Sequence, residues 1–210
     1  MSYLTDVTVA IGELDKWQRV ALAAMCAASV LPVIDRFAQP ATLKAFEQGL
    51  DAAWKSARSR ATDRQTVPAL TALGRLPESN CDDSNVPAHD VMEALSILAY
   101  ALDAIIESDS ERWVKYSCTS SAGCYSGYDY VLVFGNQTRK IDPRNPPPPG
   151  RLESLQIRSQ IHLIEVMRNA TELSDEVIEQ VQASAALLAS ELDRALPVYA
   201  ERRGWKVRPF

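Results

Sequence analysis

The stretch Leu14–Ala38, LDKWQRVALAAMCAASVLPVIDRFA, constrains this chain more than any other. Trp17, Val20, Ala21, Ala24, Ala28 and Leu31 recur at three- and four-residue steps, which places them on one face of a helix. Asp15 stands where an N-cap belongs and Gln18 follows three residues on, the spacing of a reciprocal capping box. From Ala21 to Ser29 the side chains are mostly small, so other helices can approach on several sides. Pro32 removes a backbone donor and predicts a kink before Ile34, Phe37 and Ala38 resume. A helix this apolar around most of its circumference is expected at the centre of the fold, with Trp17 buried.

The rest of the chain offers amphipathic partners for it. Leu4, Val7, Ile11 and Leu14 suit a short leading helix. Pro40 opens another, in which Leu43, Phe46, Leu50 and Trp54 form one stripe, and Trp54 too is expected to be buried. Val67–Leu76 predicts a short helix. Pro87 starts the clearest one, whose stripe of Val91, Leu95, Leu98, Leu102 and Ile105 runs to Glu107. Asp103, Glu107, Asp109 and Glu111 then crowd acid near its C-terminal end, against the helix dipole. Leu152–Ala170 and Ser174–Tyr199 are two further helices, with Ser174 as an N-cap and Pro197 bending the last turn.

Two stretches break the pattern. Residues 136–150, NQTRKIDPRNPPPPG, form a proline-rich linker whose prolines favour extended polyproline II. Trp113–Phe134 is ambiguous: Tyr128–Phe134 has strand propensity, yet Val114, Cys118, Ala122 and Tyr125 share a helical face. No second strand is evident to satisfy the backbone of the first, so a helix is expected, distorted around Gly123 and Gly127. The end of the chain, 202–210, is basic and aromatic and either docks on the acidic body or stays free. The expectation is an all-α, single-domain bundle of about seven helices.

Composition narrows the functional classes. With 210 residues, 47% hydrophobic and 23% charged, the chain suits one globular domain. Its net charge of −5 argues against a nucleic-acid binder. There is no basic signal-peptide start and no uninterrupted apolar run of about 18 residues, so a cytoplasmic protein without a membrane span is expected. Cys26, Cys81, Cys118 and Cys124 lack paired spacing and read as thiols. Asp82, Asp83 and Asn85 lack the glycine and terminal glutamate of a calcium loop. His89 and His162 are the sole histidines, and neither has zinc-ligand spacing to a cysteine. His162 and Glu165 share a helical face, but a di-iron bundle needs the reversed order twice. No nucleophile elbow, phosphate loop or dinucleotide fingerprint is present. No cofactor, metal or catalytic residue is therefore assigned.

One positive feature remains. Trp113, Tyr116, Tyr125, Tyr128 and Tyr130 are interleaved with serine, glycine and Asp129. Such mixtures combine large rigid contact area with adaptable hydrogen bonding, as binding surfaces do. The same rings could equally pack the bundle.

Certain positions resemble a known family. L-x-x-W-Q at Leu14, Trp17 and Gln18, together with Cys26 and Pro32, lies in the central helix. L-D-x-x-W occurs at Leu50, Asp51 and Trp54, and P-A-x-D at Pro87, Ala88 and Asp90. Across Leu14–Ala170 these residues resemble the YjaG-like family of small all-helical bacterial proteins. The resemblance implies an α-helical fold and brings no catalytic residues with it. The proline linker, the tyrosine-rich segment and the final helix depart from it.

An acidic domain without catalytic machinery, elaborated on a plain helical family, suggests a protein-binding module. The specific expectation is a bacterial immunity (antitoxin-type) protein that neutralises a cognate toxin. Contacts are expected through Asp103, Glu107, Asp109, Trp113, Tyr116, Tyr125, Tyr128, Asp129 and Tyr130, with no cofactor, nucleic acid or membrane and with homodimerisation left open. The alternatives are an enzyme or small-ligand protein with an inter-helix pocket, or a structural homo-oligomer.

Overall fold

Asp15 caps the central helix as its spacing predicts. Its carboxylate accepts from the backbone N–H groups of Trp17 (2.7 Å) and Gln18 (2.9 Å), and the Gln18 side chain accepts from Asp15 N at 3.0 Å. The other end of that amide donates to Met167 O at 2.8 Å. One side chain thus closes the start of one helix and satisfies a free carbonyl at the end of another.

The computed structural model describes residues 3–136, 148–170 and 172–205, with side chains from residue 7 onward. Most of the expected linker and residues 206–210 of the expected tail lie outside the described residues. The architecture is all-α, with no strand among the described residues. The helices are α1 (Tyr3–Gly12), α2 (Lys16–Ser29), α3 (Leu31–Phe37), α4 (Pro40–Ser59), α5 (Thr66–Leu73), α6 (Pro87–Ile106), α7 (Ser110–Phe134), α8 (Arg151–Asn169) and α9 (Asp175–Arg203). A 3-10 turn, Pro77–Asn80, joins α5 to α6.

The central stretch is two helices rather than one kinked helix. α2 ends at Ser29, Val30 bridges, and Pro32 falls in the first turn of α3, where a missing N–H costs nothing. Every residue from Val20 to Ala27 is buried. α4, α6, α7 and α9 all pack on α2, which its run of alanines permits. By length and composition the α2–α3 stretch could cross a membrane, but here the surrounding helices account for its apolarity. Trp17 and Trp54 are half-buried at the margin of the core, not inside it as expected. Among the described residues, Phe46 and Tyr125 are the large rings fully enclosed.

α7 runs unbroken for 25 residues through Gly123 and Gly127, without the expected distortion. Its start also changes the reading of the acids. Asp109 is the N-cap of α7, accepting from Arg112 N at 3.2 Å, and Glu111 sits in the first turn. There the helix dipole favours negative charge, so these two acids stabilise α7 instead of opposing α6.

Buried polar contacts tie the periphery down. The α4 N-terminus has no side-chain cap of its own; Glu78, from the 3-10 turn, accepts from Thr42 Oγ1 (3.0 Å) and Gln39 N (3.3 Å). Arg36, 4% exposed, donates to Asp193 Oδ1 at 2.8 and 2.9 Å and joins α3 to α9. Pro197 lies inside α9, which continues to Arg203. Beyond it Trp205 docks, donating from Nε1 to Asn85 O at 2.9 Å and meeting Phe37 and Tyr199 edge-on. Cys26, Cys118 and Cys124 are buried free thiols; Cys81 is partly exposed.

Candidate functional site

α7 divides the tyrosine-rich segment between two environments, because residues three and four apart share a face. Val114, Cys118, Ser121, Tyr125 and Tyr128 all point inward and are buried. The Tyr125 hydroxyl, on a residue with no exposure, donates to Ser29 O at 2.9 Å, at the end of α2. Burial pushes its phenol pKa up. Tyr128 meets Tyr199 edge-on at 4.9 Å.

Asp129 is spent on the fold as well. Its carboxylate accepts from Glu153 N at 2.8 Å and so caps the first turn of α8. Gly150 lets it approach: a Cβ there would stand 2.3 Å from Asp129 Oδ2. The expected contact set therefore loses Tyr125, Tyr128 and Asp129. A partner cannot touch a ring that the core encloses.

Of the remaining expected residues, all but Tyr130 come together, at the turn between α6 and α7. Trp113, half-buried, stacks on Tyr100 at 6.0 Å and meets Tyr116 edge-on at 5.8 Å; Tyr100 and Tyr116 are 5.6 Å apart. The Arg112 guanidinium lies over both Trp113 (5.3 Å) and Tyr116 (5.5 Å). Tyr116 is 43% exposed, so the ring cluster presents a wet aromatic edge. Glu107 and Asp109 are exposed at its border, and Asp103 is half-buried beside them. Burial, then the neighbouring Glu107 charge, raise the Asp103 carboxyl above its usual range. Tyr130 is elsewhere, near the far end of α7 against Phe134 at 5.2 Å. Tyr100 was absent from the expected set because it lies on α6, outside the tyrosine-rich segment.

A second site was missed altogether. Between the start of α6, the second half of α7 and the end of α9 lies a pocket of about 270 Å³, lined by His89, Asp90, Glu93, Cys124, Tyr128, Tyr199 and Arg203, among others. Asp90 is 4% exposed, and its Oδ2 has no hydrogen-bond partner. The Tyr128 hydroxyl and Arg203 Nε, also buried, lack partners too. Burial lifts the Asp90 carboxyl from 3.8 to about 6, against the opposing effect of the adjacent Tyr199 hydroxyl. Desolvation likewise pushes the Tyr128 and Tyr199 phenols and the Cys124 thiol up. Cys124 Sγ donates to Glu93 Oε2 at 3.6 Å.

The available sequence signal was the histidine and two acids in the first turns of a helix that Pro87 fixes. The tyrosines and arginine that complete the pocket come from α7 and α9, remote in sequence. Such an arrangement can bind a cation, or hold a carboxyl that changes charge near pH 6.

No protein-family model matches this chain, and no curated protein matches it. Among solved structures, a DUF416 family protein from Shewanella baltica is similar, with a TM-score of 0.63 at 14% identity. The match covers 89% of this chain and 94% of that one. At that identity the two share a fold, and nothing more follows.

Proposed function

We propose that this helical bundle works by binding another protein, and specifically that it is a bacterial immunity protein that occupies and blocks a cognate toxin in the cytoplasm. The observation that carries this reading is the edge built by Tyr100, Trp113 and Tyr116, bordered by Asp103, Glu107 and Asp109. Rigid rings held against one another need little further ordering on binding, and aromatic anchors carry most of the energy in many interfaces. The acids at the border would steer a basic partner and set the salt dependence of association. Arg112, braced over two rings, supplies a directed donor for an acceptor on the partner. Membership of the YjaG-like family belongs to the same proposal. The bundle shared with the DUF416 protein is compatible with the helical fold that membership implies.

The test is co-expression with the product of the adjacent gene. The reading expects that product to arrest growth alone, growth to be restored by this protein, and the two to co-purify. Rescue lost in a folded Trp113→Ala/Tyr116→Ala variant would assign the effect to this edge. An adjacent product that is harmless and does not co-purify refutes the immunity reading.

A further inference from the structure

We propose that His89, Asp90 and Glu93 form a binding site for a divalent first-row transition-metal ion of the Zn²⁺ or Mn²⁺ class. The three residues lie on one side of the first turns of α6, because His89 and Glu93 are four apart and Asp90 and Glu93 three apart. One ligand atom from each lies within 4.8 Å of the others. Ligand atoms bonded at about 2.0–2.2 Å to one ion stand no more than about 4.4 Å apart, so small side-chain rotations complete the set.

Proximity alone would not carry the assignment, since acids cluster on many helices without a ligand. The second observation is independent of it. Asp90 is 4% exposed with Oδ2 unpartnered, and Tyr128, lining the same pocket, is 3% exposed with its hydroxyl unpartnered. A buried carboxylate oxygen without a donor is costly unless something supplies positive charge. A metal ion does so directly.

The donor set names the class of ion. One imidazole with two carboxylates suits borderline metals, whereas Ca²⁺ and Mg²⁺ favour oxygen alone and soft ions favour thiolate. Cys124 is buried, and its thiol donates a hydrogen bond to Glu93 Oε2 at 3.6 Å. It therefore orients a ligand instead of serving as one. Three ligands from a single helix leave coordination positions open for water or a further molecule in the pocket.

Two features oppose a cation and limit its affinity. The pocket lies at the positive end of the α6 dipole. Arg203 also lines it, held by the Ser84 carbonyl and by Asn136 while stacking over Trp205 at 4.6 Å. This site is separate from the proposed protein-binding edge. Asp90 and Asp103 are thirteen residues apart on α6, or about 20 Å at 1.5 Å per residue.

The experiment is calorimetric titration of the untagged, EDTA-stripped full chain with ZnCl₂ and with MnCl₂ separately. The expected result is one saturable 1:1 site with at least one of the two ions. His89→Asn and Glu93→Gln should each weaken it at least tenfold with unchanged apo melting temperature. His162→Asn should leave it unchanged, and Arg203→Gln should strengthen it. The proposal is overturned if neither ion binds at 1:1, or if folded His89→Asn and Glu93→Gln bind as well as the parent. Loss of metal binding in folded Arg203→Gln overturns it too, because removing a neighbouring positive charge should not weaken a cation held by these three ligands.

Discussion

Asp90→Asn should make the metal-free protein more stable at neutral pH, although it removes a charged residue from a well-ordered helix. The native carboxyl holds its proton up to about pH 6, while an unfolded chain releases it near 3.8. Between those values the native state binds more protons than the unfolded one. This contribution to stability is complete below pH 3.8 and is lost as pH rises through 6. At about 1.4 kcal/mol per tenfold, the full interval amounts to about 3 kcal/mol of strain in the parent at pH 7.5. Asparagine keeps the shape and cannot ionise, so it should recover about 2–3 kcal/mol at pH 7.5 and almost nothing at pH 3.5. Urea denaturation of both proteins in EDTA, at several pH values across that range, measures the difference directly. A variant less stable than the parent at pH 7.5, or a gain independent of pH, would refute the reasoning about Asp90.

The two buried tyrosines should respond differently to the same change. Tyr125→Phe strips the Ser29 carbonyl of its partner and should cost about 1–3 kcal/mol, whereas Tyr128→Phe removes an unpartnered hydroxyl and should be neutral or slightly stabilising. Thermal melts of the pair distinguish them. Gly150→Ala should cost about 1–3 kcal/mol, because its methyl displaces the Asp129 carboxylate that caps α8. The urea midpoint reads it, and Asp129→Ala should remove most of the difference.

The helical fold was legible because its signals are local. The Asp15–Gln18 box, the Ser174 cap and the stripes of α4, α6 and α9 each appear within a few residues of sequence. The ambiguous α7 went to helix on the backbone argument that a lone strand has no partner, and the structure agrees. What failed was depth. Trp17 and Trp54 lie on apolar stripes, but a stripe gives a direction, not how far neighbours extend over the ring.

The tyrosine-rich segment failed in the other direction. Its composition is that of a binding loop, yet on a helix the three- and four-residue rhythm turned Tyr125 and Tyr128 inward and Tyr116 outward. The Asp90 pocket was invisible for a different reason. It joins the first turns of α6 to residues of α7 and α9 more than thirty positions away, and no periodicity reports that meeting.

The most direct test of the functional account is the dissociation rate of Tyr116→Ala beside that of Tyr125→Phe, each measured by surface plasmon resonance against the growth-arresting product of the adjacent gene. Tyr116 is exposed within the ring cluster and Tyr125 is enclosed beneath α2, so the account assigns contact to the first and stability to the second. It predicts at least thirtyfold faster dissociation for Tyr116→Ala, corresponding to about 2 kcal/mol, and an unchanged rate for folded Tyr125→Phe. An unchanged rate for Tyr116→Ala would contradict the account, and faster release confined to Tyr125→Phe would place the interface over another face of the bundle.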